Sequence, residues 1–303
     1  MSNETISTTC AVAGGGPAGL MLGFLLARAG VPVVVLEKHA DFLRDFRGDT
    51  IHPSTLELMA ELGLDEAVLR LPHQKVPRIG GTFGGETLLF AEFSRLPVRH
   101  PFIAMMPQWD FLNFLAERGR RYPNFSLFME ANVEDLLHAN GRVAGLMART
   151  STGQLEVRAD LVVAADGRHS VLRDRAGLVP DDLGAPMDVL WFRLSRAPGD
   201  SSESIGHFEP GRLVVQINRG NYWQCAMVIP KGAAHAVRER GLDTFRAQVT
   251  DVLPWARQRI SEDLKTWDDV KLLSVRVDRL WQWYKPGLLF IGDAAHAMSP
   301  IGG

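Results

Sequence analysis

Thr8 to Glu37 read TTCAVAGGGPAGLMLGFLLARAGVPVVVLE, and the order of residue types in this stretch decides the fold. Thr8 to Ala13 is a short apolar run ending at glycines, which predicts a buried strand. Pro17 to Ala29 predicts a helix, since proline suits a first turn where its missing N–H is not needed and Gly30 lies just past the end. Val33 to Glu37, dominated by valine, predicts a second strand. A strand, a glycine turn, a helix and a parallel strand within about thirty residues make a βαβ unit. Gly14, Gly16 and Gly19 stand at the G-x-G-x-x-G spacing between strand and helix. The first glycine permits the tight turn, the second lets backbone approach a pyrophosphate, and the third lets helix and strand pack closely. Pro17 and Ala18 then open a helix whose free N–H groups and dipole favour phosphate. Glu37, with Lys38 beside it, ends the next strand, where a carboxylate can accept hydrogen bonds from ribose hydroxyls. These residues predict a dinucleotide site without choosing between NAD and FAD.

The remaining composition excludes several classes. The 303 residues, 46% of them hydrophobic, suffice for a substantial core and roughly two domains. A net charge of -2 and a pI near 6.5, with scattered Lys and Arg, provide no field for nucleic acid. Cys10 and Cys225 are far apart, so neither a disulfide framework nor a metal site is expected, and a reducing cytoplasm fits best. Cys10 to Ala27 carries no charge, yet Gly14, Gly15, Gly16 and Pro17 interrupt it, and the residues before it contain Glu4 and no Lys or Arg. Neither a spanning helix nor a signal peptide is expected.

Further along, Pro53 to Leu62 and Trp109 to Arg121 predict helices. From Asn132 to Arg158 short strands are joined at Asn140-Gly141 and Thr152-Gly153, which are hairpin turn signals, and the apolar run Leu161 to Ala165 follows. Val189 to Leu194, Leu213 to Asn218 and Tyr222 to Ile229 predict strands of an inserted unit, followed by helical pattern from Thr244 to Ile260. Leu288 to Ile291 restores the buried-strand signature. The fold class expected is α/β with an α+β insert: a Rossmann-like domain with a parallel sheet and a β-meander, plus an inserted sheet-containing domain.

Two later segments carry a family resemblance. Asp166-Gly167-Arg168-His169-Ser170-Val171-Leu172-Arg173 fits D-G-x-x-S-x-x-R. Gly292-Asp293-Ala294-Ala295-His296, with Pro300 and Gly302 after it, fits G-D-A-A-H-x-x-x-P-x-x-G. With the glycine turn, these motifs resemble the FAD-dependent aromatic-ring hydroxylases, single-component flavoprotein monooxygenases typified by para-hydroxybenzoate hydroxylase. The resemblance implies FAD as cofactor, with NADH or NADPH as a transient co-substrate, and dioxygen and a small, aromatic molecule as substrates. Oxygen transfer through a flavin C4a-hydroperoxide is implied in the same way. Asp293 would hold the ribityl chain, Asp166 and Gly292 would lie by the cofactor, and backbone N–H groups around Pro300, Gly302 and Gly303 would face the flavin carbonyl region. Arg47 and Gln108 resemble the family's FAD-contacting arginine and glutamine. His296 is expected to pack rather than to transfer protons.

Residues 1–75, 101–182 and 271–303 are expected to form the discontinuous FAD-binding domain, and 76–100 and 183–270 the substrate domain. Strand alternation along Tyr222 to Ile229 places Tyr222 and Gln224 on one face. That face, with Gln216 or Asn218 from the partner strand, is the expected substrate wall. Trp281-Gln282-Trp283-Tyr284-Lys285-Pro286 is similar to the W-x-W-x-I-P stretch of flavin-dependent halogenases but departs from it at Lys285. In related sequences the last glycine pair opens a helix, so a chain stopping at Gly303 leaves a truncated, non-catalytic FAD-binding fragment as the alternative to an active monooxygenase.

Overall fold

A computed structural model describes residues 2–43, 50–201 and 203–299. The chain divides into two compact units, the first from residues 1–45, 108–184 and 276–303, the second from 46–107 and 185–275. The helix Pro53–Glu61 falls in the second unit, not with the cofactor domain where the sequence reading placed it. Ile103–Met105 pairs with both Thr50–Ile51 and Gln74–Val76, which ties 50–76 to 103–105, and Arg78–Phe83 between them pairs with Ile205–Glu209 of the second unit.

The first unit is built on an eight-stranded sheet. Its main path runs Tyr284–Lys285, Leu288–Phe290, Gly153–Ala164, Ser2–Ala13, Val33–Leu36 and Phe125–Phe128. The pairings are parallel from Leu288–Phe290 to Phe125–Phe128. All of Val33–Leu36 is buried, which a strand covered on both faces requires. The helix Pro17–Arg28 covers these strands through Gly19, Leu20, Gly23, Phe24 and Ala27, one stripe at helical spacing.

The expected meander is present as Asn132–Ala139, Arg142–Thr150 and Gly153–Ala164. Asn140 and Gly141 both have positive φ, 50° and 74°, as a two-residue hairpin turn with the right twist demands. The third strand is longer than the sequence indicated and serves two partners along one edge. Its first half pairs with Arg142–Thr150 and its last three residues with Leu288–Phe290, while Ser2–Ala13 lies along the other edge.

The second unit holds a seven-stranded sheet in the order Lys271–Leu273, Met187–Ser195, Tyr222–Pro230, Arg212–Asn218, Ile205–Glu209, Arg78–Phe83 and Glu86–Glu92. One face packs under helices: Phe192, Trp223, Cys225 and Met227 share a core with Phe245, Val249 and Ile260. The helical pattern expected over 244–260 is two helices, Leu242–Val252 and Arg257–Asp263. Pro254 separates them, since it has no N–H to donate and its ring clashes with the preceding turn. Among the described residues no helix is long and apolar enough to cross a membrane.

Candidate functional site

Four parallel strands of the first unit end in one register-matched row. Phe290 pairs with Ala164, Ala164 with Ala13, and Ala13 with Leu36. The backbone keeps the row one residue further: Ile291 donates to the Ala164 carbonyl at 3.0 Å, Ala165 to Ala13 at 2.8 Å, and Gly14 to Leu36 at 2.8 Å. The glycine turn, Glu37, the Asp166 loop and Gly292-Asp293 therefore leave the sheet side by side at its carboxyl edge, where open α/β sheets bind ligands.

Each glycine of the turn has its own steric reason. Gly14 has φ +107°, and a Cβ there would lie 2.2 Å from the Ala165 oxygen. A Cβ on Gly19 would lie 1.9 Å from the Gly14 oxygen. At Gly16 a Cβ would meet nothing within 4 Å, so hydrogen at this position keeps space open rather than relieving a clash within the chain. Gly16 is also the cap of Pro17–Arg28, with no side-chain hydrogen bond and no acid in the first turn. The first backbone bond of that helix runs from Leu20 to Gly16, which leaves the Ala18 and Gly19 N–H groups ahead of it, at the positive end of the helix.

Glu37 is 8% exposed. Its Oε2 accepts from the Gly15 N–H at 2.9 Å and its Oε1 from His39 at 3.1 Å, so strand end and glycine turn are fixed together. A carboxylate has about four lone-pair sites and can accept from several donors at once. Lys38 is exposed beside it.

The Asp166 carboxylate points into its own loop. Oδ1 accepts from Ser170 Oγ at 2.6 Å and Oδ2 from the Leu172 N–H at 3.2 Å, while Ser170 Oγ accepts from the Arg173 N–H and caps Val171–Arg175. Burial pushes the Asp166 carboxyl up, against the pull of these hydrogen bonds. The sequence reading set Asp166 among the cofactor-binding residues; within the chain its side chain shapes the loop, capping a helix start that lies within its reach.

That loop is tied to the last motif by two arginines to which the sequence assigned no role. Arg173 is 3% exposed and donates to the carbonyls of Arg168 at 2.8 Å and Ala294 at 3.3 Å. Arg168 Nη2 lies 3.7 Å from Asp293 Oδ2. Asp293 is half-exposed, in the short 3-10 turn Gly292–Ala294. A Cβ on Gly292 would stand 3.0 Å from the Ala18 Cβ, so the turn closes onto the glycine-turn helix. Arg173 was legible as the last residue of the quoted motif, and its burial against two carbonyl oxygens is what the sequence hid.

Positive charge gathers here. Burial, then Arg168, Arg276, Arg173 and Lys38, holds the His169 imidazolium below its ordinary range. His296 packs as expected: its ring stacks on Trp283 at 5.1 Å and 20°. The two tryptophans of the halogenase-like stretch have structural partners, Trp281 donating to Asp181 and Trp283 to the Leu280 carbonyl at 2.7 Å. Gln108 begins the helix Gln108–Gly119. Arg47, Pro300, Gly302 and Gly303 lie outside the described residues. Among the described residues no group of three or more His, Cys, Asp or Glu gathers as metal ligands.

In the second unit the register corrects the expected substrate wall. Gln216 stands opposite Cys225, and Asn218 opposite Trp223. Directly opposed residues share a face, so Gln216 and Asn218 belong to the helix-covered face, whereas Tyr222 and Gln224 belong to the other. On that face Ile217 stands opposite Gln224 and Val215 opposite Ala226, and Tyr222 stands opposite Ser195 on the other side. The Arg193 guanidinium lies over the Tyr222 ring at 4.9 Å, and Arg219 Nε donates to Gln224 Oε1 at 3.2 Å.

Residues 7–303 match the family described as FAD binding domain. 6-Methylpretetramide 4-monooxygenase of Streptomyces rimosus is 32% identical over 97% of this chain and 71% of its own length. Dialkyldecalin synthase of Streptomyces rugosporus is 28% identical over 98% of this chain and 62% of its own length. Among solved structures, PqsL of P. aeruginosa in complex with 2-aminobenzoylacetate superposes with a TM-score of 0.81 at 21% identity, over 97% of this chain and 81% of that one.

Proposed function

The chain belongs to the family of FAD-binding flavoproteins that includes aromatic monooxygenases, and from that premise we propose that it uses FAD, NADH or NADPH, and dioxygen to hydroxylate a small aromatic substrate. The observation that carries the reading is the row of strand ends, which brings the glycine turn, Glu37 and Gly292-Asp293 together. The residues present fit FAD. Gly16 leaves a space that a Cβ would enter, and the helix start behind it has no acid of its own to compensate its dipole.

In this reading the Ala18 and Gly19 N–H groups, with the positive field of Lys38, Arg168, Arg173 and Arg276, hold the pyrophosphate. Glu37 accepts hydrogen bonds from the adenosine ribose, and Asp293 turns from Arg168 to the ribityl hydroxyls. Arg47, Gln108 and the backbone N–H groups that follow Pro300, through Gly303, complete the cofactor contacts. Bound FAD would supply hydride acceptance from NAD(P)H and activation of dioxygen, chemistry that no side chain provides. The chain's own tasks are to orient substrate, exclude water and set the charge around the ring. Tyr222 and Gln224 are assigned to the substrate wall, with Gln216 and Asn218 removed from it.

The relatives' names cover an oxygenase and a synthase, so the reaction is the part to test. The intact protein should release FAD on denaturation, identified by chromatography, and should consume NAD(P)H faster when its aromatic substrate is supplied. Release of FMN, or of no flavin, would reject the cofactor assignment. Flavin reduction without oxygenated product across a panel of phenols would reject the reaction.

A further inference from the structure

The helix-covered face of the second unit's sheet holds a cavity of about 230 Å³ lined by Asp200, Ser201, Gln216, Trp223 and Trp255. A cavity of about 150 Å³ accommodates one benzene, so this one has room for a substituted ring or a fused pair. The register places it on the opposite face from Tyr222 and Gln224, which separates it from the substrate wall assigned above.

Its walls are two indoles with centroids 6.0 Å apart at 64°. Trp223 is buried and Trp255 is 45% exposed, so one wall is fixed and the other borders solvent. The Trp223 ring is oriented by its Nε1–H, which donates to Asp200 Oδ2 at 3.3 Å. Asp200 also receives both terminal nitrogens of Arg259, one at 3.0 Å, and the Ala197 N–H at 2.9 Å. Its charge is matched inside the protein and does not call for a cationic ligand.

The buried polar group left for a ligand is Gln216, which is 4% exposed, beside the exposed Ser201 hydroxyl at the rim. Thr82 Oγ1 lies 2.9 Å from His207 Nδ1, and His207 Nε2 lies 3.2 Å from Gln216 Oε1. Burial holds the His207 imidazolium below its ordinary range, so the ring is neutral and carries one hydrogen. With Gln216 Oε1 turned to the ring, that hydrogen sits on Nε2 and the Thr82 hydroxyl donates to Nδ1. The chain Thr82–His207–Gln216 thereby fixes the amide, and its Nε2 donors are the end left to the cavity.

We propose that this cavity binds a neutral aromatic molecule of one or two rings bearing a carbonyl, the ring against Trp223 and Trp255 and the carbonyl accepting from Gln216 Nε2. The site is additional to flavin chemistry and does not depend on it. The test titrates the full chain with acetophenone, which only accepts hydrogen bonds, with toluene, which does neither, and with aniline, which donates. Calorimetry measures affinity, and the indole N–H resonances of Trp223 and Trp255 locate it. Acetophenone should bind most tightly and shift both resonances. Gln216→Leu should weaken it about tenfold and abolish its advantage over toluene, as loss of one hydrogen bond requires. Trp255→Ala, at a half-exposed position that folding tolerates, should weaken all three probes. Tighter binding of aniline, equal binding of toluene, no shift of the two resonances, or affinity unchanged by Trp255→Ala would each overturn the proposal.

Discussion

Gly14 and Gly16 are both glycine for reasons that substitution by alanine separates. At Gly14 a methyl would collide with the Ala165 carbonyl from a left-handed backbone conformation, so Gly14→Ala should destabilise the fold by about 3 kcal/mol or more in denaturant unfolding and lose flavin as a consequence. At Gly16 the methyl meets no protein atom and φ is -73°, so Gly16→Ala should change stability by under about 1 kcal/mol. Its FAD dissociation constant should nevertheless rise, because the methyl fills the approach to the helix start; equal flavin affinity would remove the pyrophosphate from this position. Asp293→Ala tests the other end of the cofactor. Loss of a charge-assisted hydrogen bond of about 1.5–3 kcal/mol should weaken FAD roughly tenfold to a hundredfold in a binding titration. Residue types and spacing made these positions legible from sequence. The direction of the Asp166 carboxylate was not, because capping partners such as Ser170 and Leu172 compete with any ligand and only the folded loop decides between them.

Elements were legible where local pattern and tertiary demand agree. The helix Pro17–Arg28 and the turn at Asn140-Gly141 lie where proline, glycine and apolar spacing put them. The hairpin Arg78–Phe83 and Glu86–Glu92 was missed although its signal was present: Gly84 and Gly85 have positive φ, 54° and 90°, as its two-residue turn needs. The face of Gln216 was not legible, because alternation within a strand says nothing about register between strands. One tie between elements can be read by pH. Asp200 joins the segment after Met187–Ser195 to the helix Arg257–Asp263, and the Arg259 guanidinium lowers its carboxyl to about 2. The folded value lies below the unfolded one of about 3.9, so the stabilisation is complete above that pH and is lost as pH falls toward about 2. Asp200→Asn should be less stable than the parent by about 1–3 kcal/mol at pH 7, with the difference shrinking across that acid window. A pH-independent difference in thermal unfolding would show that the pair contributes nothing through its charge.

At the scale of the whole molecule, the division of the chain into segments was legible as an insertion, and its exact partition was not. Short ladders, Thr50–Ile51 on Ile103–Met105 and Arg78–Phe83 on Ile205–Glu209, group 46–107 with the second unit and leave too weak a trace in sequence to be counted. The row Phe290, Ala164, Ala13 and Leu36 has a consequence for how the protein is made. Its members are spread from one end of the chain to the other, whereas the strands Met187–Ser195, Arg212–Asn218 and Tyr222–Pro230 pair within a short span. Contacts between distant segments close slowly, and domains emerging from the ribosome fold as their segments become available. The inserted sheet should therefore acquire structure on the nascent chain while Gly153–Ala164 still waits for Leu288–Phe290. Force measured with arrest sequences should register the inserted sheet before residue 288 has left the exit tunnel, and flavin capture only afterwards; capture at an earlier length would contradict this order. For the interval between, Val162, Val163 and Ala164 form an unpaired apolar edge, and the cell must carry it to completion without letting it find a strand from another chain.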